Sequence, residues 1–182
     1  CEGLVGSEMC IRDRNISSKN CMASVDEDAC AKDKILATIF EKPSTRTRFS
    51  FETAMYQLGG KTIYANMSDM QLGRGETIED TAKVISRYVD VAVLRTNKHS
   101  TLESFAKNAS IPVINGLTNK SHPCQVLADL ITVKEHIGDI ENKSYVWFGP
   151  ANNMLTSWIH AAQIIGFELR ICSPKDLSLI HI

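Results

Sequence analysis

The sequence has almost no net charge. Twenty basic side chains against twenty-one acidic ones leave -1 over 182 residues, so no overall field draws the chain to nucleic acid or to an anionic membrane. No apolar run approaches transmembrane length, and no stretch has the basic start and apolar middle of a secretory signal. The six cysteines, Cys1, Cys10, Cys21, Cys30, Cys124 and Cys172, include no C-x-x-C pair and no cysteine–histidine cluster at zinc spacing. Four of them fall in the first thirty residues; the expectation is reduced, incidental thiols in a cytoplasmic protein. Internal repeats and low-complexity tracts are also lacking. What is present, 43% hydrophobic residues, suits a globular protein and argues against disorder.

The chain is organised around Ile35 to Leu58. Ile35-Leu36-Ala37-Thr38-Ile39-Phe40 has the length and type of a buried strand. A short polar loop, Glu41 to Ser44, leads into an amphipathic helix whose stripe is Phe51, Ala54, Met55 and Leu58. Gly59-Gly60 is the stop signal. At the loop-to-helix junction stand Ser44, Thr45, Arg46, Thr47 and Arg48. A helix N-terminus offers unpaired N–H groups and a positive dipole end. The hydroxyls add donors, and arginine forks match phosphate oxygens in pairs. The alternative is a Ser-capped helix with two solvated arginines, but three hydroxyls and two arginines exceed what a cap needs. The reading is a site for a phosphate monoester or acyl phosphate.

Further strands are expected at Lys61–Asn66, Val89–Leu94, Ile111–Ile114, Tyr145–Phe148 and Phe167–Cys172. Between them, Ile78, Ala82, Ile85 and Tyr88 mark a helix, and Ser100-x-x-Glu103 reads as a capping box for another, through Ala109. Pro112 suggests a strand end or a sheet edge. Asn115 to Ser121 reads as loop, and Pro123 opens a helix to about Ile137. Gly149 to Asn153 leads into a helix through Ile165. Such alternation implies α/β architecture, a parallel sheet with helices on both faces. The expected divisions are an unpatterned segment 1–32, a first domain 33–137, the truncated start of a second α/β domain 138–176, and a tail 177–182. CEGLVGSEMCIRDR and LSLIHI resemble translated sequencing-adapter sequence and are set aside.

Three polar groups fall at carboxyl ends of expected strands or just beyond: Ser44 to Arg48, Arg95, and His122 with Gln125. A parallel sheet gathers such ends on one edge, where open α/β folds bind ligands. Singly, Arg95 reads as a surface charge and His122 as a helix cap; their shared placement favours a site.

With these residues in view, FEKPSTRTRFSFE, SDMQLGRGET, NGLTNKSHPCQVLAD and GPANNM resemble the aspartate/ornithine carbamoyltransferase superfamily, its ornithine branch above all. The resemblance covers Asp33 to Asp176. It implies that Ser44, Thr45, Arg46 and Thr47 hold the phosphate of carbamoyl phosphate. It implies that Arg95 and His122 contact the carbonyl oxygen, Arg95 also the phosphate, and that Gln125 holds the carbamoyl amide. Gln71 would reach the ligand from a neighbouring subunit of a homotrimer. Asn153, rather than Asn152, would bind L-ornithine. No metal or other cofactor is implied, and Cys124, beside the site, is not expected to act as a nucleophile.

The sequence departs from the family pattern in three ways. The family's helical start before the first strand is missing or scrambled. Pro150 stands where the ornithine branch usually has aspartate. The later ornithine-binding segments, an aspartate followed by Ser-Met and a His-Cys-Leu-Pro loop, are missing. The chain therefore reads as a fragment of little or no turnover, with uncovered apolar surface and poor solubility. Competing readings are transfer to aspartate, an acylated ornithine or putrescine, and a non-catalytic carbamoyl-phosphate-binding module.

Overall fold

A computed structural model describes residues 30–174. The two ends read as adapter sequence lie outside the described residues, as do Cys1, Cys10 and Cys21. Two compact units divide the chain after Gly116.

In the first unit, β1 (Ile35–Phe40), β2 (Lys61–Asn66), β3 (Val91–Arg95) and β4 (Val113–Leu117) form one sheet in the order β2-β1-β3-β4. β1 pairs in parallel with both neighbours. Leu36 to Phe40 are all buried, as a central parallel strand covered on both faces requires. On one face, Ala37 and Ile39 join Ala92, Leu94 and Val113. These pack against Ala82 of α2 (Ile78–Ile85) and Leu102 and Phe105 of α3 (His99–Asn108). The other face takes α1 (Thr45–Gln57). Its Arg48 lies over the ring of Tyr64, which pairs with Thr38 and so points away from Ala37 and Ile39. The expected α/β architecture, a parallel sheet with helices on both faces, is the one observed.

The α1 stripe buries Phe51, Met55 and Leu58. Its end is a Schellman turn: Gly60 N–H bonds the Met55 carbonyl at 2.9 Å, Gly59 N–H bonds the Tyr56 carbonyl at 3.0 Å, and Gly59 has φ 80°. Gly60 is needed for space as well. A Cβ there would lie 2.3 Å from Met55 Cε and 3.0 Å from the carbonyls of Ala31 and Lys34.

Several expectations need correction. α3 begins at His99 with Lys98 as its N-cap and no side-chain cap bond, so Ser100 lies inside the first turn and Ser100–Glu103 is not a capping box. Tyr88 lies beyond the end of α2 and is 70% exposed; the helix stops before the stripe reaches it. β4 runs to Leu117, through residues read as loop. Pro112 directly precedes this edge strand, and its carbonyl accepts the Ala92 N–H at 3.0 Å, as a strand-end proline should.

The second unit contains α4 (Pro123–His136), β5 (Ser144–Phe148), α5 (Asn153–Ile165) and β6 (Glu168–Cys172), with β5 and β6 parallel. Val126 and Leu130 of α4 pack with Phe167, Tyr145, Trp158 and Leu169. By packing, α4 belongs with the second unit; the hydrophilic break at 138 follows its end.

Asp90 ties the entry of β1 to that of β3. Its carboxylate accepts Lys34 Nζ and the Ile35 N–H, each at 2.9 Å. The Lys34 hydrogen bond, then the Ile35 N–H, hold its pKa below the usual carboxylate value, and Asp90 raises that of Lys34. A depressed carboxylate contributes stability above its unfolded pKa of about 4 and loses it as pH falls through the folded one. A raised lysine contributes below about pH 10 and loses it above its folded pKa. Asp90→Asn is thus expected to be less stable than the native chain at neutral pH, with the gap closing below about pH 4. Denaturant midpoints across pH test this; an equal gap at pH 3 and pH 7 contradicts it.

Candidate functional site

The register sets Phe40 of β1 opposite Asn66 of β2 on one side and Arg95 of β3 on the other. The sheet order reverses here: from β1 the chain goes outward to β2, then crosses to β3 on the opposite side. The crevice outside the carboxyl ends of two such strands is where open α/β sheets bind ligands. Ser44 to Thr47 follow β1 and Arg95 ends β3, so both stand at that reversal.

The two loops are clasped together. Glu41 N–H bonds the Arg95 carbonyl at 2.8 Å, and Glu41 Oε2 accepts the Asn97 N–H at 2.5 Å. Sequence reasoning passed over Glu41, since a lone loop carboxylate carries no signal until its partner loop is known.

Ser44 occupies the N-cap of α1 with extended backbone, φ -149° and ψ 104°, yet its side chain makes no capping bond. Its hydroxyl instead donates to Thr47 Oγ1 at 3.0 Å. Arg95 Nη1 donates to the same oxygen at 3.0 Å. With both bonds arriving at Oγ1, the Thr47 hydroxyl keeps its own hydrogen for a further acceptor. The first turn of α1 holds no acidic residue, so the positive dipole end is not neutralised there. Thr45 and Arg46 are exposed on that turn. Ser44, Thr47 and Arg95 are therefore brought together directly, and Thr45 and Arg46 through the helix start.

Arg48 does not join them as a second anion fork. Its Nε donates to Glu52 at 2.8 Å, and its guanidinium carbon sits 3.9 Å from the Tyr64 ring centroid. Tyr64 in turn meets Phe40 edge-on at 5.7 Å. Arg48 thus anchors the helix start to the ends of β1 and β2. The i,i+4 spacing of Arg48 and Glu52 was the available signal.

Gln71 is exposed and opens a short 3-10 turn, Gln71–Arg74, after β2. Its carbonyl accepts the Glu76 N–H at 3.3 Å.

In the second unit, His122 holds the N-cap position of α4, though its side chain makes no capping bond. Its backbone N–H donates to Ser157 Oγ at 2.7 Å. Gln125 is exposed and its Nε2 donates to Asp129 at 2.9 Å. Asn153 Nδ2 donates to the Thr118 carbonyl at 2.9 Å. Asn152 caps α5, its Oδ1 accepting the Met154 and Leu155 N–H groups at 2.9 and 3.1 Å. That capping duty separates it from Asn153. Cys124 is buried and Pro150 exposed.

Residues 11–135 match the family model described as aspartate/ornithine carbamoyltransferase, carbamoyl-P binding domain. This chain belongs to that family. The match takes in Ser44 to Thr47, Gln71, Arg95, His122 and Gln125, and it reaches back into the segment read as unpatterned. The ornithine carbamoyltransferase of Caulobacter vibrioides is 59% identical over 150 residues, which are 82% of this chain and 48% of that protein. The Burkholderia cenocepacia enzyme is 55% identical over 147 residues, 81% of this chain and 48% of its own. The chain thus spans about half the length of these curated relatives. Among solved structures, the ornithine carbamoyltransferase of Burkholderia thailandensis superposes with a TM-score of 0.81 at 46% identity, over 97% of this chain and 59% of that one. The catalytic subunit of M. jannaschii aspartate transcarbamoylase gives 0.74 at 31% identity, over 98% and 57%. No described helix is long and apolar enough to cross a membrane.

Proposed function

We propose that this chain binds carbamoyl phosphate and serves the transfer of its carbamoyl group to the δ-amine of L-ornithine, giving L-citrulline and phosphate. The observation that carries the reading is the Ser44–Thr47–Arg95 cluster, built on an uncapped helix start at the reversal of the sheet. Ser44, Thr45, Arg46 and Thr47 take the phosphate. Arg95 and His122 take the carbonyl oxygen, Gln125 the carbamoyl amide, and Asn153 the amino acid. The neutral amine forms a bond to the carbamoyl carbon as the bond to phosphate oxygen breaks, and the amine proton is released. Negative charge grows on the carbonyl oxygen and then on the leaving phosphate. Fixed cationic and N–H donors favour that charge more in the transition state than in the substrate, and holding both substrates together removes much of the entropic barrier.

Ornithine is favoured over aspartate because the curated relatives that match at 54–59% identity are ornithine carbamoyltransferases, and because the Phe-Glu-Lys-Pro lead into Ser44–Arg48 and the Asn152-Asn153 pair follow the ornithine branch. The family resemblance implies a homotrimer in the intact parent, in which Gln71, exposed in this chain, reaches a neighbouring subunit's ligand. Citrulline formation from ornithine would place the parent enzyme in arginine biosynthesis.

Calorimetric titration of this chain with carbamoyl phosphate tests the assignment. Arg46→Ala is expected to weaken binding by about ten- to a hundredfold, the worth of a charge-assisted hydrogen bond. Equal affinity in both proteins removes the phosphate site from α1. Citrulline formation by the full-length parent, in competition with aspartate, putrescine and an acylated ornithine, identifies the amine; this chain alone is expected to show little or no turnover.

A further inference from the structure

Ser157 is 5% exposed and lies one helical turn into α5. Its Oγ accepts the His122 N–H at 2.7 Å and donates to the Asn153 carbonyl at 3.1 Å. One buried hydroxyl thus bridges the N-cap residue of α4 and the first residue of α5. The His122 N–H precedes α4, so no helical carbonyl is in register to receive it, and its backbone, φ -139° and ψ 70°, is not helical. The bond from Ser157 fixes where that residue leaves the preceding loop. The same loop is held from the other side, where Asn153 Nδ2 bonds the Thr118 carbonyl and Thr118 N–H bonds the Ser121 carbonyl at 2.9 Å. The residue assigned to the carbonyl oxygen and the residue assigned to the amino acid therefore share one internal support.

We propose that Ser157 is a positioning residue. It sets the backbone of His122, and with it the direction in which the imidazole meets the carbamoyl group, while anchoring the turn that carries Asn153. The inference rests on the carbamoyl-phosphate reading above. Ser157 touches no substrate. Its effect passes through His122, which a residue that merely stabilises the fold would not require.

The test is a double-mutant cycle on the described chain, read as the dissociation constant for carbamoyl phosphate. Ser157→Ala is expected to weaken binding by about three- to tenfold, the range for one neutral hydrogen bond. It is also expected to speed hydrogen exchange at the His122 amide. In a His122→Ala background the same substitution is expected to cost nothing further in affinity. Ser157→Cys, which keeps the volume but accepts weakly, should fall between and serves if the alanine variant does not fold. Equal losses in both backgrounds, or no loss with only a lowered unfolding midpoint, overturn the proposal while leaving the function intact. Native affinity retained in His122→Ala overturns the assignment of His122 and the proposal with it. A native chain that does not bind carbamoyl phosphate overturns both.

Discussion

Arg95→Ala is expected to raise the dissociation constant for carbamoyl phosphate by about ten- to a hundredfold. Arg95 has two duties in the first unit. Its charge stands at the end of β3, at the reversal of the sheet, and its Nη1 holds Thr47 Oγ1 at 3.0 Å. Alanine removes the cation and also frees the Thr47 hydroxyl, which Ser44 alone then orients. Lysine restores a charge without the planar fork, so Arg95→Lys should recover only part of the affinity. Thr47→Ala and Arg95→Ala should be non-additive, since each removes the same bond. Titration calorimetry of the native chain, the three single variants and the double variant gives all these values. An unchanged constant in Arg95→Ala would take the arginine out of the site.

Phe105→Ala is expected to cost about 3–5 kcal/mol of stability. Phe105 is 1% exposed in α3 and packs among Ile39, Ala82, Leu94 and Leu102. The loss combines the transfer energy of the ring with the cavity it leaves. Against a typical total of about 5–15 kcal/mol, it is a large fraction. Tyr88→Ala, at a side chain 70% exposed, should change stability by no more than about 0.5 kcal/mol. Urea unfolding followed by circular dichroism, with the slope unchanged, separates the two. A Phe105 loss below about 1 kcal/mol would place the core elsewhere.

What was legible in the sequence is what depends on local pattern. Ile35 to Phe40, short and rich in branched apolar residues, has the length and type of a buried strand, and Phe51, Met55 and Leu58 are spaced to share one helical face. Ser44, Thr47 and Arg95 could be placed on one edge because a parallel sheet aligns its carboxyl ends. The misses depended on partners distant in the chain. Asn115 to Ser121 read as loop, yet Gly116 lies within β4, where a Cβ would stand 3.0 Å from Val93 Cγ1 and 3.1 Å from the Leu94 carbonyl. Close approach of a neighbouring strand asks for glycine there. Ser100 and Glu103 have capping-box spacing, but Lys98 starts the helix first. Nor could composition say which of two arginines would lie on Tyr64. The support of His122 by Ser157 has no sequence signature, because a serine inside a helix usually faces water or its own backbone.

Both tryptophans of the chain, Trp147 and Trp158, lie in the second unit, Trp158 beside Tyr145 and Phe167 at 5.4 and 5.8 Å. The first unit has no tryptophan, and its tyrosines stand at positions 56, 64 and 88. Emission excited at the red edge of indole absorption therefore reports on one half of the molecule, and circular dichroism on the whole. A difference between the two melting curves would show the units losing their structure at separate temperatures, with no label attached.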